Sequence, residues 1–312
     1  MLGRLLTLIL TLLVASHRGF QPEPITLDRI YQTDHSWTAT LSAEKVVTLI
    51  ATGDVMPGRT IHAANVKSGD FTYQFQKIAP FLSSADITFI NLESPIVDPC
   101  PVLLTGFTFC TDPRILAGLN LAGIDVTNLA NNHISNFGPA GIQSTIKYLE
   151  SAGILTSGIS EIPVKVVKNT RFSFLGFNAL GEPPDQIIMS QIAIAKSQSD
   201  VVIIQFHWGN EYTTVISPQQ KHLAHLAIDS GADLVIGNHP HWVQPAEIYN
   251  GKLIIYAHGN TVFDQNWSTK TREGVLGKYT FYGSTLVDAQ FFPVFINLLG
   301  QPDFSSPTTT AE

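Results

Sequence analysis

The sequence is short of charge, and of positive charge in particular. Only 14% of its 312 residues are Asp, Glu, Lys or Arg, and the formal net charge is −7. No basic run stands out anywhere. Because affinity for nucleic acids comes mainly from Lys and Arg that neutralise phosphates, this composition argues against a nucleic-acid partner. An acidic protein that handles an anionic substrate needs local positive charge, and a bound metal ion supplies it compactly.

Cysteine is scarce, and the usual motif of serine hydrolases is missing. The sequence contains no Gly-x-Ser-x-Gly segment, so nothing supports catalysis by a serine nucleophile of that kind. The two cysteines, Cys100 and Cys110, lie in the short segment CPVLLTGFTFC. In an exported protein they are able to form a disulfide bond, and two free buried thiols are the alternative.

Long apolar segments are missing except at the N-terminus. An apolar run over residues 5–15 is too short for a comfortable bilayer span of about 20 residues. It is typical of a secretory signal, and an uncleaved signal anchor is the alternative. We therefore expect an extracytoplasmic protein with residues 1–16 outside the fold, a linker or leading arm at 17–44, a domain at 45–300 and a flexible tail at 301–312.

Short β-branched segments alternate with helix-like segments from residue 45 onward. KVVTLIATGD, DITFINLES, IDVTNLANNH, DVVIIQFHWG, DLVIGNH and KLIIYAHGN predict strands. TYQFQKIAPFLSSA, AGIQSTIKYLESAG and PQQKHLAHLAIDSG predict helices, and Pro218 suits the first turn of the last one. This alternation predicts an α/β fold with partly parallel strands, in which ligands bind beyond the carboxyl ends of the strands.

Side chains that bind metals stand at the ends of these predicted strands. They are Asp54, Glu93, Asn132, His133, His207, His239 and His241. Carboxylate, amide and imidazole donors at one edge suit a pair of divalent ions such as Mn, Zn, Fe or Mg. In an extended segment His239 and His241 would face the same way, with Pro240 stiffening the pair. Taken singly, each residue has an ordinary alternative as a turn, loop, cap or packed residue, and their shared position favours the metal site.

The same segments carry a resemblance to a known family. The blocks GDVMPGR, NLESPI, NLANNHISNFG, HWGNEY, IGNHPHWVQP and GNTVFDQ, in this order, resemble the bacterial capsule synthesis family CapA. That family is associated with poly-γ-glutamate capsules and is similar to the calcineurin-like metallophosphoesterases. The resemblance implies an α/β, metallophosphoesterase-like four-layer α/β/β/α sandwich, with two mixed β-sheets flanked by helices and metals at the loop edge.

The resemblance also implies a role for each donor. The implied ligands are Asp54 and His241 for a first ion, Asn132, His207 and His239 for a second ion, and Glu93 as the carboxylate that bridges both. His133 would stand beside the leaving group as a general acid. Two departures concern the ions: Met56 stands where related phosphoesterases usually have His, and Glu93 where they usually have Asp.

Further residues of these blocks are candidates for supporting roles. Arg59 would act with His133 and Asn132 in catalysis by clamping an anionic group, or it would simply pair with a nearby carboxylate. Glu211 would orient a metal-bound histidine. The remaining candidates, behind the ligands or in contact with substrate, are His258 and Asn260.

The implied function is hydrolysis of a phosphoester or of a γ-glutamyl or other amide bond, by water activated between two divalent ions. The alternative is a capsule-assembly component that binds or guides an anionic polymer without turnover. We favour the hydrolase, because a binding site needs ligands but does not need a proton donor such as His133. Membrane proteins of capsule synthesis or export are expected partners.

Overall fold

The computed structural model describes residues 23, 25–159 and 161–304. The predicted signal segment at residues 1–16 lies outside the described residues. The strands are β1 Val46–Val55, β2 Ile87–Leu92, β3 Val126–Asn128, β4 Leu155–Ser157, β5 Val164–Val167, β6 Thr170–Ala179, β7 Val201–Trp208, β8 Leu234–Asn238, β9 Val243–Tyr249, β10 Lys252–His258, β11 Asn260–Val262, β12 Glu273–Tyr282, β13 Thr285–Ile296 and β14 Pro302–Phe304. The α-helices are α1 Leu27–Tyr31, α2 Arg59–Ser68, α3 Ala79–Leu82, α4 Leu116–Leu121, α5 Gly138–Ser151, α6 Asp185–Gln198 and α7 Pro218–Asp229, and 3-10 turns span Ser36–Thr40 and Pro113–Ile115.

The strands form two mixed sheets. The first has the order β14-β13-β12-β1-β2-β3-β4, with β11 paired to β1, and the second has the order β5-β6-β7-β8-β10-β9. Strands β1 to β4 are parallel, whereas β12 to β14 are antiparallel to their neighbours. In the second sheet β6, β7, β8 and β10 are parallel, and the edge strands β5 and β9 are antiparallel. The parallel centre of each sheet therefore brings several carboxyl strand ends to one edge.

Alternation along the strands separates three apolar layers. In β1, Leu49 packs between the two sheets, whereas Ile50 packs on the opposite face against α2 to α5. In β7, Ile203 likewise points between the sheets, and Ile204 points toward α6 and α7. Successive side chains of a strand lie on opposite faces, so each sheet is buried on both sides. The predicted α/β/β/α four-layer sandwich is confirmed.

The helix that precedes β8 shows how local sequence sets an element boundary. The Ser217 hydroxyl oxygen accepts a hydrogen bond from the Gln220 backbone amide, and the Gln220 side-chain oxygen accepts one from the Ser217 backbone amide, which forms a capping box. Pro218 occupies the first turn as predicted, where its missing N–H costs nothing. The helix ends at Asp229, shortly before Gly231.

Parts of the predicted leading arm (17–44) and of the predicted tail (301–312) pack on the domain, so the domain extends beyond its predicted boundaries. In the leading arm, Ile25 and Ile30 are buried between the sheets, and His35 Nδ1 lies 2.8 Å from Asp288 Oδ1. The expected tail at 301–312 begins too early, because β14 pairs with β13 and the Gln301 side-chain amide donates to the Tyr73 carbonyl. The sequence near Ile25 and Ile30 and in β14, which begins with Pro302, has no pattern that predicts a buried element. These segments are held in the fold by contacts with residues distant in the chain.

Among the described residues, no helix combines the length and apolar character needed to cross a bilayer.

Candidate metal centre

The predicted metal ligands converge where the carboxyl ends of β1, β2, β3, β7 and β8 meet. Asp54, Glu93 and His241 place one ligand atom each within 4.8 Å of one another, and so do Glu93, His207 and His239. Glu93 belongs to both groups, which is the arrangement that a bridging carboxylate requires. The sixth predicted ligand, Asn132, contacts the second group through His207.

Glu93 is the centre of the site. Its side chain is fully buried, and neither carboxylate oxygen has a hydrogen-bond partner. The Nε2 atoms of His133 and His207 each lie 3.8 Å from Oε1. Burial, together with the charges of Asp54 and Glu211, raises the pKa of Glu93 well above its ordinary value. A buried carboxylate without partners is costly, so these orphaned oxygens fit a site for cations.

Asp54, in contrast, is surrounded by donors. Its Oδ1 accepts hydrogen bonds from the side-chain amides of Asn91 (2.8 Å) and Asn238 (2.9 Å). Its Oδ2 accepts from the backbone amide of His239 (3.2 Å) and lies 3.1 Å from His241 Nδ1. Burial by itself raises the pKa of Asp54, but the hydrogen bonds from His241 and Asn91 help to outweigh it, and the pKa lies below its ordinary value. Asp54 is therefore ionised in the folded protein.

Gly53, which precedes Asp54, allows a close approach between two backbone segments. A Cβ atom on Gly53 would lie 2.0 Å from the carbonyl oxygen of Gly259, so only glycine allows the two backbones to approach. Through this approach the Asp54 amide donates to the Gly259 carbonyl (3.0 Å), and the Gly53 amide donates to Thr261 Oγ1 (3.0 Å). Asp54 is thereby fixed on rigid strand backbone.

His207 and Asn132 join the two sheets. His207 lies in β7 of the second sheet, and its Nε2 lies 2.9 Å from Oδ1 of Asn132, which follows β3 of the first sheet. The other ring nitrogen, Nδ1, lies 3.3 Å from the Asn91 side-chain amide, so Nε2 is the nitrogen that faces Asn132 and Glu93. Burial, with the neighbouring His239, lowers the pKa of His207 well below its ordinary value, which keeps the ring neutral as a metal ligand must be.

His239 presents a free nitrogen to the site. Its Nδ1 is buried and has no hydrogen-bond partner, and burial lowers the pKa of the ring to about 4. The predicted extended pair is wrong in its backbone: φ is 95° at His239 and 58° at His241, in the left-handed region. Non-glycine residues are uncommon in this region, and strained backbone conformations cluster at functional sites. The imidazoles converge through this strained turn, with ring centroids 5.7 Å apart.

The hydrogen bonds of His241 determine which of its nitrogens is free. Nδ1 lies 2.9 Å from Oδ1 of Asn260, whose amide group donates to the Thr271 carbonyl (2.8 Å). Asn260 Oδ1 is thus an acceptor, Nδ1 of His241 carries the proton, and Nε2 has the lone pair. Glu211 Oε1 lies 3.9 Å from this Nε2, and Glu211 forms a third group of possible ligands with His239 and His241.

His133 lies beside Glu93 with a defined orientation. Its Nδ1 lies 3.1 Å from Oδ1 of Asn136, which also accepts from the Phe109 amide (2.7 Å), so Nδ1 is the donor. The Phe109 ring packs against the imidazole with a centroid separation of 4.1 Å. Burial lowers the pKa of His133, despite the hydrogen bond to Asn136.

Several asparagines of the site were not predicted from the sequence, among them Asn91 and Asn131. Asn91 links Asp54, His207 and Asn131, and the Asn131 side chain accepts from the amides of His133 and Ile134 while donating to Leu92. Their signal was present, since both stand at strand ends beside predicted ligands. The patterns did not distinguish residues that orient ligands from the ligands themselves.

Arg59 does not have a free guanidinium. It forms a bidentate ion pair with buried Asp264, Nε lying 2.9 Å from Oδ2, and Nη1 donates to the Gly106 carbonyl (3.1 Å). Its Cζ lies 5.0 Å from the centroid of the Phe109 ring. The alternative for Arg59, an ion pair with a nearby carboxylate, is therefore present in the structure, and the clamp on substrate stays a prediction.

Two other residues are placed away from the ligand groups. His258 is buried, with Nε2 lying 2.8 Å from the Tyr279 hydroxyl oxygen, and it lines a mostly apolar cavity of about 390 Å³. Met56 is fully buried in an apolar cluster with Phe109 and Phe263 and accepts a hydrogen bond from the Gly58 amide on Sδ. His258 belongs to none of the groups of possible ligands found among the described residues.

Cys100 and Cys110 form a disulfide bond, with an S–S distance of 1.96 Å and Cα atoms 5.9 Å apart. The bridge closes the loop that supplies Gly106 to Arg59 and leads into Phe109. The disulfide therefore anchors the segment that packs on His133.

Comparison with known proteins gives consistent matches. Residues 48–265 match the family model described as bacterial capsule synthesis protein PGA_cap. The chain is 30% identical to the capsule biosynthesis protein CapA of Bacillus anthracis over 75% of its length and 63% of that protein. It is 30% identical to the PGA biosynthesis protein CapA of Bacillus subtilis strain 168, covering 76% of this chain and 68% of that one. A crystal structure of a hypothetical protein from Thermus thermophilus shares the fold, with a TM-score of 0.54 at 15% identity, covering 79% of this chain and 98% of that one.

Proposed function

The chain belongs to the bacterial capsule synthesis protein family, and from this premise we propose that it is a binuclear, metal-dependent hydrolase of capsule polymer synthesis. The bond it cleaves is a phosphoester or a γ-glutamyl or related amide linkage, in poly-γ-glutamate or another anionic polymer. The chain spans 63% of the length of the Bacillus anthracis relative, so this activity is proposed for the described domain alone.

The observation that carries the proposal is the orphaned carboxylate of Glu93. Two fully buried oxygens without partners, shared by two groups of possible ligands, support a pair of divalent ions. Such ions lower the pKa of bound water and polarise phosphoryl or carbonyl oxygens. The mixed oxygen and nitrogen donors are compatible with Mn, Zn, Fe or Mg.

The side chains of the site have three kinds of role: binding the ions, orienting a ligand and contacting the leaving group. Glu93 would hold both ions, His207, Asn132 and His239 would hold one of them, and His241 would hold the other. Asp54 and Asn260 fix the ring of His241 through its Nδ1 proton. His133 faces the same oxygen of Glu93 and is positioned to exchange a proton or a hydrogen bond with the leaving group.

A second candidate function is supported by the protonation of His133. Its Nδ1 donates to Asn136, and its lowered pKa makes the ring neutral at pH 7, so Nε2 accepts a hydrogen bond instead of donating a proton. This state suits a capsule-assembly component that binds an anionic polymer without cleaving it.

Export and partners are part of the proposal. The disulfide between Cys100 and Cys110 supports an extracytoplasmic location, because such bonds persist in oxidising compartments. A polymer-handling domain outside the cytoplasm would work with membrane proteins of capsule synthesis or export.

The test combines metal analysis with hydrolysis assays on the purified protein. We expect two divalent ions per chain and metal-dependent hydrolysis of an aryl phosphate or a γ-glutamyl anilide. His239→Ala is expected to reduce hydrolysis by about 100-fold or more, because it removes a ligand. His222→Ala is the matched control, since His222 is exposed on α7 and paired with Asp185, and it should leave the rate unchanged.

Three outcomes are decisive. Absence of bound metal, or equal rates for wild type and His239→Ala, would overturn the hydrolase proposal. Bound metal with no hydrolysis by wild type or His133→Ala would favour the assembly component.

A further inference from the structure

The loop after β7 brings a third carboxylate to the metal centre. Glu211, His239 and His241 place one ligand atom each within 4.8 Å of one another. The Nδ1 atom of His239 is buried and unpartnered, which fits an ion bound close to this group. We infer that Glu211 is a direct ligand of the divalent ion at His241, and not a residue that only orients a histidine. The inference rests on the proposed binuclear site and deepens it.

The tautomer of His241 determines on which side an ion binds. Its Nδ1 proton is shared between Asn260 Oδ1 and Asp54 Oδ2, both of which are acceptors. The lone pair is therefore on Nε2, and Glu211 Oε1 lies 3.9 Å from that atom. An ion bound to Nε2 lies within reach of Glu211.

The backbone holds Glu211 in place before any ion binds. The next residue, Tyr212, has a φ of 59°, and its amide donates to the Pro240 carbonyl (2.9 Å). Pro240 stands between His239 and His241, so this hydrogen bond ties the Glu211 loop directly to the histidine turn. A strained residue that fixes one donor segment to another is typical of a preorganised site.

The small number of other ligand atoms available beside His241 also favours Glu211 as a ligand. Both oxygens of Asp54 already accept hydrogen bonds, from Asn91, Asn238 and the His239 amide. Met56, two positions after Asp54, lies in an apolar cluster and supplies only a thioether, a poor ligand for hard ions. Zinc takes at least four ligands and magnesium six, and Glu211 adds a carboxylate where the site is short of one.

The position of Glu211 distinguishes the two ions. Its side chain is 41% exposed, whereas those of Glu93 and His207 are fully buried. An ion held by Glu211 and His241 would therefore be more open to solvent than one held by His207. Two divalent ions set against the three carboxylates of the centre would leave an excess of about one positive charge, which suits an anionic substrate.

Cobalt spectroscopy of a cysteine variant tests direct coordination. Glu211→Cys, with the natural disulfide intact, is titrated anaerobically with Co²⁺. A thiolate bound to cobalt gives a charge-transfer absorption that an orienting residue does not give. We expect this band to appear as the second Co²⁺ binds. Glu150→Cys is the control, because Glu150 is exposed near the end of α5, at the opposite edge of the sheet, and it should give no band.

A second variant does not depend on the introduced thiol. Glu211→Gln keeps the shape of the side chain and removes its charge, so we expect titration calorimetry with Mn²⁺ to show one site unchanged and the other weakened about tenfold or more. Two bound Co²⁺ ions without the band in Glu211→Cys, or unchanged affinity at both sites in Glu211→Gln, would overturn the inference while leaving the hydrolase proposal intact. Wild-type protein that binds no ion would overturn both.

Discussion

Nε2 of His207 lies 2.9 Å from Oδ1 of Asn132, although 75 positions of the chain separate the two residues. One belongs to a strand of the second sheet, and the other follows a strand of the first. The ligand set therefore spans the two sheets of the sandwich, and ions bound there would fasten one sheet to the other.

From this follows a prediction for thermal stability. Mn²⁺ at 100 times its dissociation constant should stabilise the folded protein by about 2.7 kcal/mol, because the unfolded chain lacks the assembled site. Differential scanning calorimetry should show a higher melting temperature with Mn²⁺, reversed by a chelator. His207→Ala should lose the shift and His222→Ala should keep it. An identical shift in both variants would contradict binding at this site.

Glu93→Gln should stabilise the metal-free protein while impairing ion binding. The raised pKa means that folded protein binds the Glu93 proton more tightly than unfolded protein does. The bound proton of Glu93 therefore stabilises the folded protein fully at pH values below 4.5, the ordinary pKa of the group. This stabilisation is lost as the pH rises toward the pKa of Glu93 in the folded protein, at up to about 1.4 kcal/mol per pH unit.

Urea unfolding of the metal-free proteins at several pH values tests this sign. The variant should lack that part of the pH dependence and should gain about 1–3 kcal/mol at pH 8, because folded wild type must there either bury a charge or hold a proton that the unfolded chain has released. Glu150→Gln, on the exposed end of α5, should behave as wild type. A variant less stable than wild type at pH 8 without metal would refute the account of Glu93.

His133→Gln should separate catalysis from ion binding. If His133 transfers a proton, kcat should fall by about 10²–10⁴-fold with two ions still bound. The measurement compares kcat, KM and metal content between His133→Gln and wild type. A rise in KM at constant kcat would instead assign His133 to substrate binding, as the assembly function requires.

Arg59→Ala should lower stability and not merely substrate affinity. The substitution leaves the buried carboxylate of Asp264 without its main partner, which typically costs about 3–5 kcal/mol. Denaturant unfolding measures this loss. The double variant Arg59→Ala, Asp264→Ala should lose less than the sum of the two single variants. A fully stable Arg59→Ala protein with a raised KM would support the predicted clamp.

Replacing both cysteines by serine should cost about 3 kcal/mol, the stabilisation expected from closing so short a loop. The loop also positions Phe109 on His133, so the hydrolytic rate should fall while metal content stays the same. Unfolding and rate measurements on oxidised wild type, reduced wild type and the double variant check this. Reduced wild type should resemble the variant, and equal stability of all three would contradict it.

The strand ends were predictable, and the backbone of the histidine turn was not. β1 and β7 are β-branched runs whose periodicity is visible locally, and parallel strands bring their carboxyl ends together. The left-handed backbone at His239 and His241 has no such signal, because contacts from Asp54, Asn260 and the Tyr212 loop stabilise it. Arg59 is a similar case, since its partner Asp264 lies 205 positions away.

Side-chain pattern alone determined where strands run and which donor types stand at their ends, because both depend on a few neighbours along the chain. Only the tertiary structure decided that Glu93 is without a hydrogen-bond partner, that Nε2 is the free nitrogen of His241, and that Glu211 stands opposite it. Those properties follow from burial and from hydrogen bonds between distant segments, which exist only once the two sheets have packed together.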